Sequence, residues 1–485
     1  MDEKQIRQLK PSLERFLKRF DDCFARRDTR SHLPIYVQGQ LSDLNDKSVA
    51  PIAARAGTPP RTLQEFLSLL RWDEQRMRDR LQEIVAGEHR GPHSIGLLDE
   101  TSFVKKGVKT PGVKRQWCGT VGKTENCIVT VHLGYAVGDF HCLLDSELFL
   151  PEDWAADRDR CRQAGIADEM TYRPKWKIGL ELYAQALLNG MHFEWLVFDE
   201  EYGKVPAFLE TLDTLGQRFV GEDPRTFTGW IDPPRVTDRP YRRGRGRGRK
   251  TPRLVSGSRP AQSVQNLLAF HPALRDQPWG LYRVKDGERG PMIWECKHTP
   301  FYAKGPDGLP LGPWHLVIAR DVLAPKEIKF FLSNAPPATK VSTLLLAGFS
   351  RWHVERCFED SKGEVGLDHY EGRNYLGLKR HLAISAVSYL FLVLTQQAWA
   401  GKKSGGHGQP SARGDGRSDP LVVAREKGPG RRAPRHDQTA RRQATKGSAI
   451  PCQPHQENTA KTTGDGHQTH YRPPLPMGYE LALTN

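Results

Sequence analysis

Two short apolar runs, a hundred residues apart, each stop at an aspartate: "HSIGLLDETSF" at Asp99 and "FEWLVFDEEYG" at Asp199. Each run reads as a short strand that ends at an acid. Between them lie "QWCGTV", "CIVTVHLGYAV" and "FHCLLDSELFLP". These are short, β-rich and separated by turns such as Gly122–Lys123 and Gly138–Asp139. The helical stretch "WKIGLELYAQALLNGM" then precedes the second run. The order predicts an α/β fold, a mixed sheet with helices packed against it. An acid just past a strand is often only a turn or cap residue, so neither aspartate alone makes a site.

The flanking segments differ in texture. Residues 1–92 carry apolar residues at helical spacing and form an expected N-terminal helical domain. Within it "SVAPIAARAGTPPRTLQEFLSLL" has the cadence helix, glycine-containing turn, helix, which suits either a DNA-binding helix-turn-helix or two ordinary packed helices. Residues 220–340 hold short strand candidates broken by Gly and Pro and read as a β-rich insertion, dividing a catalytic domain expected at 93–219 and 341–400. The insertion contains "RPYRRGRGRGRKTPR", eight Arg or Lys and no acid. Arg242, Arg243, Arg245, Arg247, Arg249 and Lys250 are candidates to track DNA phosphates; a merely solubilising loop is the other reading. Residues 401–485 are rich in Gly, Pro, Gln and Thr, have no helical or strand period, and read as a disordered basic tail.

The chain has 72 Lys and Arg against 57 Asp and Glu, a net +15 that favours a polyanionic partner, most simply nucleic acid. Its charged first twenty residues lack a signal-peptide core, and the most apolar stretch, Leu382 to Leu394, contains two serines and is too short to span a bilayer. The expectation is a buried helix there and no membrane partner. Eight cysteines without any CxxC spacing argue against a zinc ribbon or disulfide scaffold and fit a reducing cytoplasm.

A third acid joins the aspartates in "RWHVERCFEDSKGE", residues 351–364. At about 100° per residue Arg351, Glu355, Glu359 and Lys362 share one stripe of a helix, opposite Val354, Cys357, Phe358 and Ser361, and Gly363 is placed to end it. A charged stripe is usually a solvated face. With Asp99 and Asp199 ending strands of one sheet, however, Glu355 completes a set of carboxylates suited to a hard, oxygen-seeking cation. Alternation along a strand predicts that Glu100 and Glu200 point away from that set.

These motifs together resemble insertion-sequence transposases of the DDE type, closest to the insertion-sequence family numbered seven hundred and one. That family is related to the group with a Tyr-Arg-Glu-Lys signature. Arg351, Glu355 and Lys362 fit its spacings of four and seven, while Gly348 stands where the tyrosine belongs. The likeness extends over "LLDET", "VFDEEYG", "SKGEVGLDHYEGR" and "RHLAISAVSYLFL" and spans roughly residues 15–400; the tail lacks the basic helical sequence expected there. The resemblance implies a ribonuclease-H-like catalytic domain interrupted by a β-rich insertion. It implies two Mg²⁺ ions, with Mn²⁺ a possible substitute, on Asp99, Asp199 and Glu355, and Arg351 and Lys362 on DNA. It implies cleavage at terminal inverted repeats, strand transfer into target DNA, a homodimer or larger working complex, and a cytoplasmic prokaryotic protein associated with the nucleoid when bound to DNA. A nuclease that cuts without joining and an inactive DNA-binding derivative are the rival readings.

Overall fold

The computed structural model describes residues 3–238, 251–287 and 290–404, so the tail beyond 404 and the arginine-glycine run 239–250 lie outside the described residues. Strand β1 (Ile95–Val104) is central, with β3 (Lys123–Val137) antiparallel on one side and β5 (Trp195–Phe198) parallel on the other. That position explains its unbroken apolar run: Leu97 and Leu98 are both buried because both faces of the sheet are covered. The edge beyond β3 is shared by β2 (Lys114–Cys118) and β4 (Phe140–Phe149); beyond β5 lies β6 (Phe219–Asp223), parallel to it. The order β4-β3-β1-β5-β6, antiparallel on one flank and parallel on the other, is the ribonuclease-H-like arrangement.

The first residues of the segment expected as the insertion thus supply the fifth strand of this sheet. The rest continues the same sheet, apart from one separate two-stranded pair. After β7 (Thr228–Trp230), the two-residue strands β8 (Val236–Thr237) and β9 (Arg253–Leu254) pair across the base of the arginine-glycine run. Then come β10 (Gln262–Ser263), β11 (Gly280–Gly287), β12 (Gly290–Lys304), β13 (Pro310–Asp321) and β14 (Ile328–Ser333). Antiparallel pairing of β14 with β6 joins β7 and β10–β14 to the catalytic sheet, making twelve strands among the described residues, and satisfies the backbone of β6 that would otherwise be an open edge.

The helix Lys175–Leu188 covers one face of the sheet: a Cβ at Gly179 would lie 2.6 Å from the Leu98 side chain. The helix Trp352–Val365 covers the other, its Phe358 ring edge-on to His132, which is paired with Asp99 across β1 and β3. It runs through Gly363 and ends at Gly366, not at Gly363 as the sequence predicts. Gly366 has φ 68°, which glycine adopts without cost. Gly363 can stay helical because the stop is made three residues later, by the Gly366 N–H to Lys362 O and Leu367 N–H to Ser361 O bonds.

The apolar stretch at 382–394 is the middle of a 30-residue helix, Tyr375–Ser404, long and apolar enough over Tyr375–Trp399 to cross a bilayer by length and composition. Its polar residues are instead matched inside the protein. Arg380, 3% exposed, donates to the carbonyls of Phe66, Leu67, Leu70 and Trp72, the frayed end of the helix Pro60–Ser68. Tyr36 OH lies 2.9 Å from His381 Nδ1, and Gln40 bonds both Ser385 and Ser388. The N-terminal helices Glu3–Leu17, His32–Gln40, Val49–Arg55, Pro60–Ser68 and Glu74–Glu88 therefore share one continuous core with the sheet.

Candidate active site

Asp99 and Asp199 are brought together by the parallel pairing of β1 and β5, in which Leu98 stands opposite Phe198, so the next residue of each strand is the aspartate. Asp199 leaves the strand as the cap of a short helix, Glu200–Gly203; its Oδ1 accepts the Glu201 N–H at 2.9 Å. The turn is tight: a Cβ on Gly203 would lie 2.1 Å from the Glu222 carbonyl, so only glycine allows it to seat against β6. Asp99 is held inside β1, which continues five residues past it, and its Oδ1 accepts the Glu100 N–H at 2.8 Å.

Carboxylate oxygens of Asp99, Glu100 and Asp199 lie within 4.8 Å of one another. Glu100 is the residue the sequence misplaces. Alternation does turn it toward the other face, where its Oε1 meets Lys175 Nζ at 2.5 Å. But β5 ends at Phe198, one residue short of Asp199, so at this end of the sheet the two faces are no longer separated and the Glu100 carboxylate reaches the aspartates. Its other oxygen is buried without a hydrogen-bond partner. Lys175, first residue of its helix, also reaches Glu201 at 3.5 Å.

The helix Trp352–Val365 brings in the third predicted acid by way of Arg351. One guanidinium nitrogen is 2.6 Å from Asp99 Oδ2, the other 2.8 Å from Glu355 Oε1, so Asp99 and Glu355 are separated by the width of one guanidinium. Asp99 is 10% exposed at its side chain and Glu355 61%, so the helix offers its carboxylate from the solvent side of a buried pair. Lys362 points elsewhere: its Nζ is 2.9 Å from Thr120 Oγ1 in the β2–β3 turn and 3.4 Å from the Ser102 carbonyl. Glu359 and Asp360 pair with Arg356. Arg242, Arg243, Arg245, Arg247, Arg249 and Lys250 fall outside the described residues.

The electrostatics are those of crowded acids. Burial pushes the Asp99 carboxyl up to about 8, repulsion from Asp199 and Glu100 adding to it and Arg351 opposing. Burial raises Asp199 and Glu100 as well, offset chiefly by Arg351 for the first and Lys175 for the second. Below them His132, fully buried and further repelled by Lys362, is held down at about 3 and therefore neutral.

Residues 19–291, more than half of the chain, match the family model described as DDE superfamily endonuclease. The chain belongs to that superfamily. It is also similar to the "Probable transposase for insertion sequence element IS701" of Microchaete diplosiphon, 34% identical over 185 residues. That match covers 38% of this chain and 46% of the relative, so it spans less than half of the relative's length.

DDE superfamily membership implies a divalent metal at the acids, and the residues fit one. The donors are carboxylate oxygens, as hard divalent cations prefer, and they crowd closely enough to raise one another's pKa. The unpartnered buried Glu100 oxygen is likewise an open acceptor at the cluster.

Proposed function

We propose that this chain is a DNA transposase that binds the terminal inverted repeats of an insertion sequence, cuts the DNA at their ends and joins them to a target. The observation that carries the reading is the meeting of Asp99 and Asp199 at the strand ends with Glu355 across Arg351. Asp99, Asp199 and Glu355 would hold two Mg²⁺ ions, or Mn²⁺, and Glu100 stands close enough to support them. Such a pair activates an attacking oxygen and stabilises the leaving one in a phosphodiester displacement.

The chain's own residues supply the rest. The acids lie in a half-buried recess where charge is weakly screened, so nearby cations are needed to hold phosphates beside them. Arg351 at the start of the helix and Lys362 three turns on, whose Nζ now rests on Thr120, are the two cations this reading places on the DNA backbone beside the cleavage point. In hydrolysis a water oxygen bonds to phosphorus as the bond to the 3′ oxygen breaks, leaving a 3′-hydroxyl. In joining that hydroxyl attacks a target phosphate and the target's own 3′ oxygen leaves. Two ends must be handled, so the working complex is a homodimer or larger. The arginine-glycine run, closed at its base by β8 and β9, and the helices Val49–Arg55 and Pro60–Ser68 are the further DNA contacts of this reading.

The test is a labelled element end incubated with Mg²⁺ and a target plasmid. Release of a 3′-hydroxyl end and its covalent appearance in the plasmid support the transposase. Cleavage without joining selects the nuclease reading, and binding without cleavage selects the inactive derivative.

A further inference from the structure

We propose that Arg351 is the resident counter-ion of the metal site: in the free protein its guanidinium takes the place of a divalent cation between Asp99 and Glu355, and metal and arginine exclude one another there. The inference rests on the proposed active site and adds a coupling to it.

The planar fork of the guanidinium spans the gap, one arm at 2.6 Å from Asp99 Oδ2 and the other at 2.8 Å from Glu355 Oε1. These are oxygens of two of the three proposed metal ligands. The other nearby cation, Lys175, is engaged by Glu100 and Glu201 on the far face. Arg351 therefore occupies the Asp99 oxygen on the side where the metal ligands converge. A divalent ion on Asp99 Oδ2 would stand within a few ångströms of the guanidinium carbon, two cations on one oxygen in a poorly screened recess. Glu355 is largely exposed and carries its helix's contact to Arg351, so it can turn from guanidinium to metal without unpacking anything.

The consequence is reciprocal. Metal entry frees the guanidinium, and a DNA phosphate is the acceptor the reading places beside it. Whatever draws Arg351 out tightens metal binding by the same factor that metal tightens its capture. The site thus loads metal weakly when DNA is absent and firmly when DNA is seated, which keeps an idle enzyme from being an armed nuclease.

The experiment measures Mn²⁺ binding to the full chain without DNA, by the electron paramagnetic resonance of free Mn²⁺. Wild type is compared with Arg351→Gln, Arg351→Lys and Asp199→Asn. The expected result is that Arg351→Gln binds Mn²⁺ about tenfold or more tightly than wild type. Arg351→Lys keeps the charge but cannot fork across two carboxylates, and is expected to fall between them; it carries the test if the glutamine variant does not fold. Asp199→Asn is expected to lose the site. Arginine variants that bind Mn²⁺ no more tightly than wild type, with Asp199→Asn still losing it, overturn the counter-ion role and leave the active site standing. Unchanged binding in Asp199→Asn overturns the site itself, and this inference with it.

Discussion

Replacing Asp99 by asparagine is expected to make the metal-free protein harder to unfold while abolishing its chemistry. The native carboxyl is pushed from 3.8 to about 8, mainly by burial. A raised native pKa means that the folded state holds its proton more tightly than the unfolded chain does. The fold therefore carries no penalty below about pH 4 and loses stability steadily as the pH rises toward 8. At pH 7 the gap from 3.8 is about three pH units at ~1.36 kcal/mol each, so the aspartate costs the metal-free fold about 4 kcal/mol. Asparagine has similar shape and no proton to lose. Urea unfolding in a chelator, followed by fluorescence, is expected to show a midpoint higher by on the order of 1 M at pH 7, with the difference vanishing near pH 4. An asparagine variant that unfolds more easily than wild type at pH 8, or that differs from it equally at pH 5 and pH 8, refutes the reasoning. The acids would then be arranged without mutual strain, and there would be nothing for a metal to relieve.

Three further outcomes follow from the same structure. Added Mg²⁺ is expected to raise the melting temperature of wild type more at pH 8 than at pH 6, because a metal must displace the proton that Asp99 retains; thermal scans of Asp199→Asn are expected to show no such rise. Arg380→Met removes the guanidinium donor from the carbonyls of Leu67, Leu70 and Trp72, leaving Phe66 only its bond from the Trp72 indole, and is expected to cost about 3–5 kcal/mol, read from chemical denaturation. Gly203→Ala places a carbon 2.1 Å from the Glu222 carbonyl; it is expected to cost about 1–3 kcal/mol and to shift Asp199 enough to lower metal affinity, whereas unchanged Mn²⁺ binding would mean the turn is not strained.

Much of this arrangement was legible in the sequence because it is written in short-range pattern. Apolar runs closing at Asp99 and Asp199 mark strands that end in an acid, and the four-residue interval from Arg351 to Glu355 puts both on one helical stripe. What escaped notice depends on where neighbouring strands stop. Glu100 obeys alternation, yet it joins the cluster because β5 is only four residues long. The strand Phe219–Asp223 looks like any other short strand of the segment after it; its parallel pairing with β5 is a property of topology, invisible to local pattern. Gly363 is a stop signal overridden by the tertiary seat of Gly366. The partners of Arg380 lie more than three hundred residues away in the chain. A signal for that packing was nevertheless present: His381, Ser385 and Ser388 recur at helical spacing inside an apolar helix, a polar seam that a bilayer would not accept but a second layer of helices can match.

That seam has a consequence for how the molecule measures distance. Because Gln40, Tyr36 and the end of the helix Pro60–Ser68 are bolted to Ser385, Ser388, His381 and Arg380, the amino-terminal layer has no hinge between itself and the core helix. Whatever that layer touches is held at a set offset from Asp99, as by a caliper with its jaws locked. A base sequence gripped there would be read at a constant number of steps from the bond to be broken. Inserting one base pair between the two would then turn the phosphate target by a tenth of a helical revolution, out of reach of a site that cannot swing to follow it.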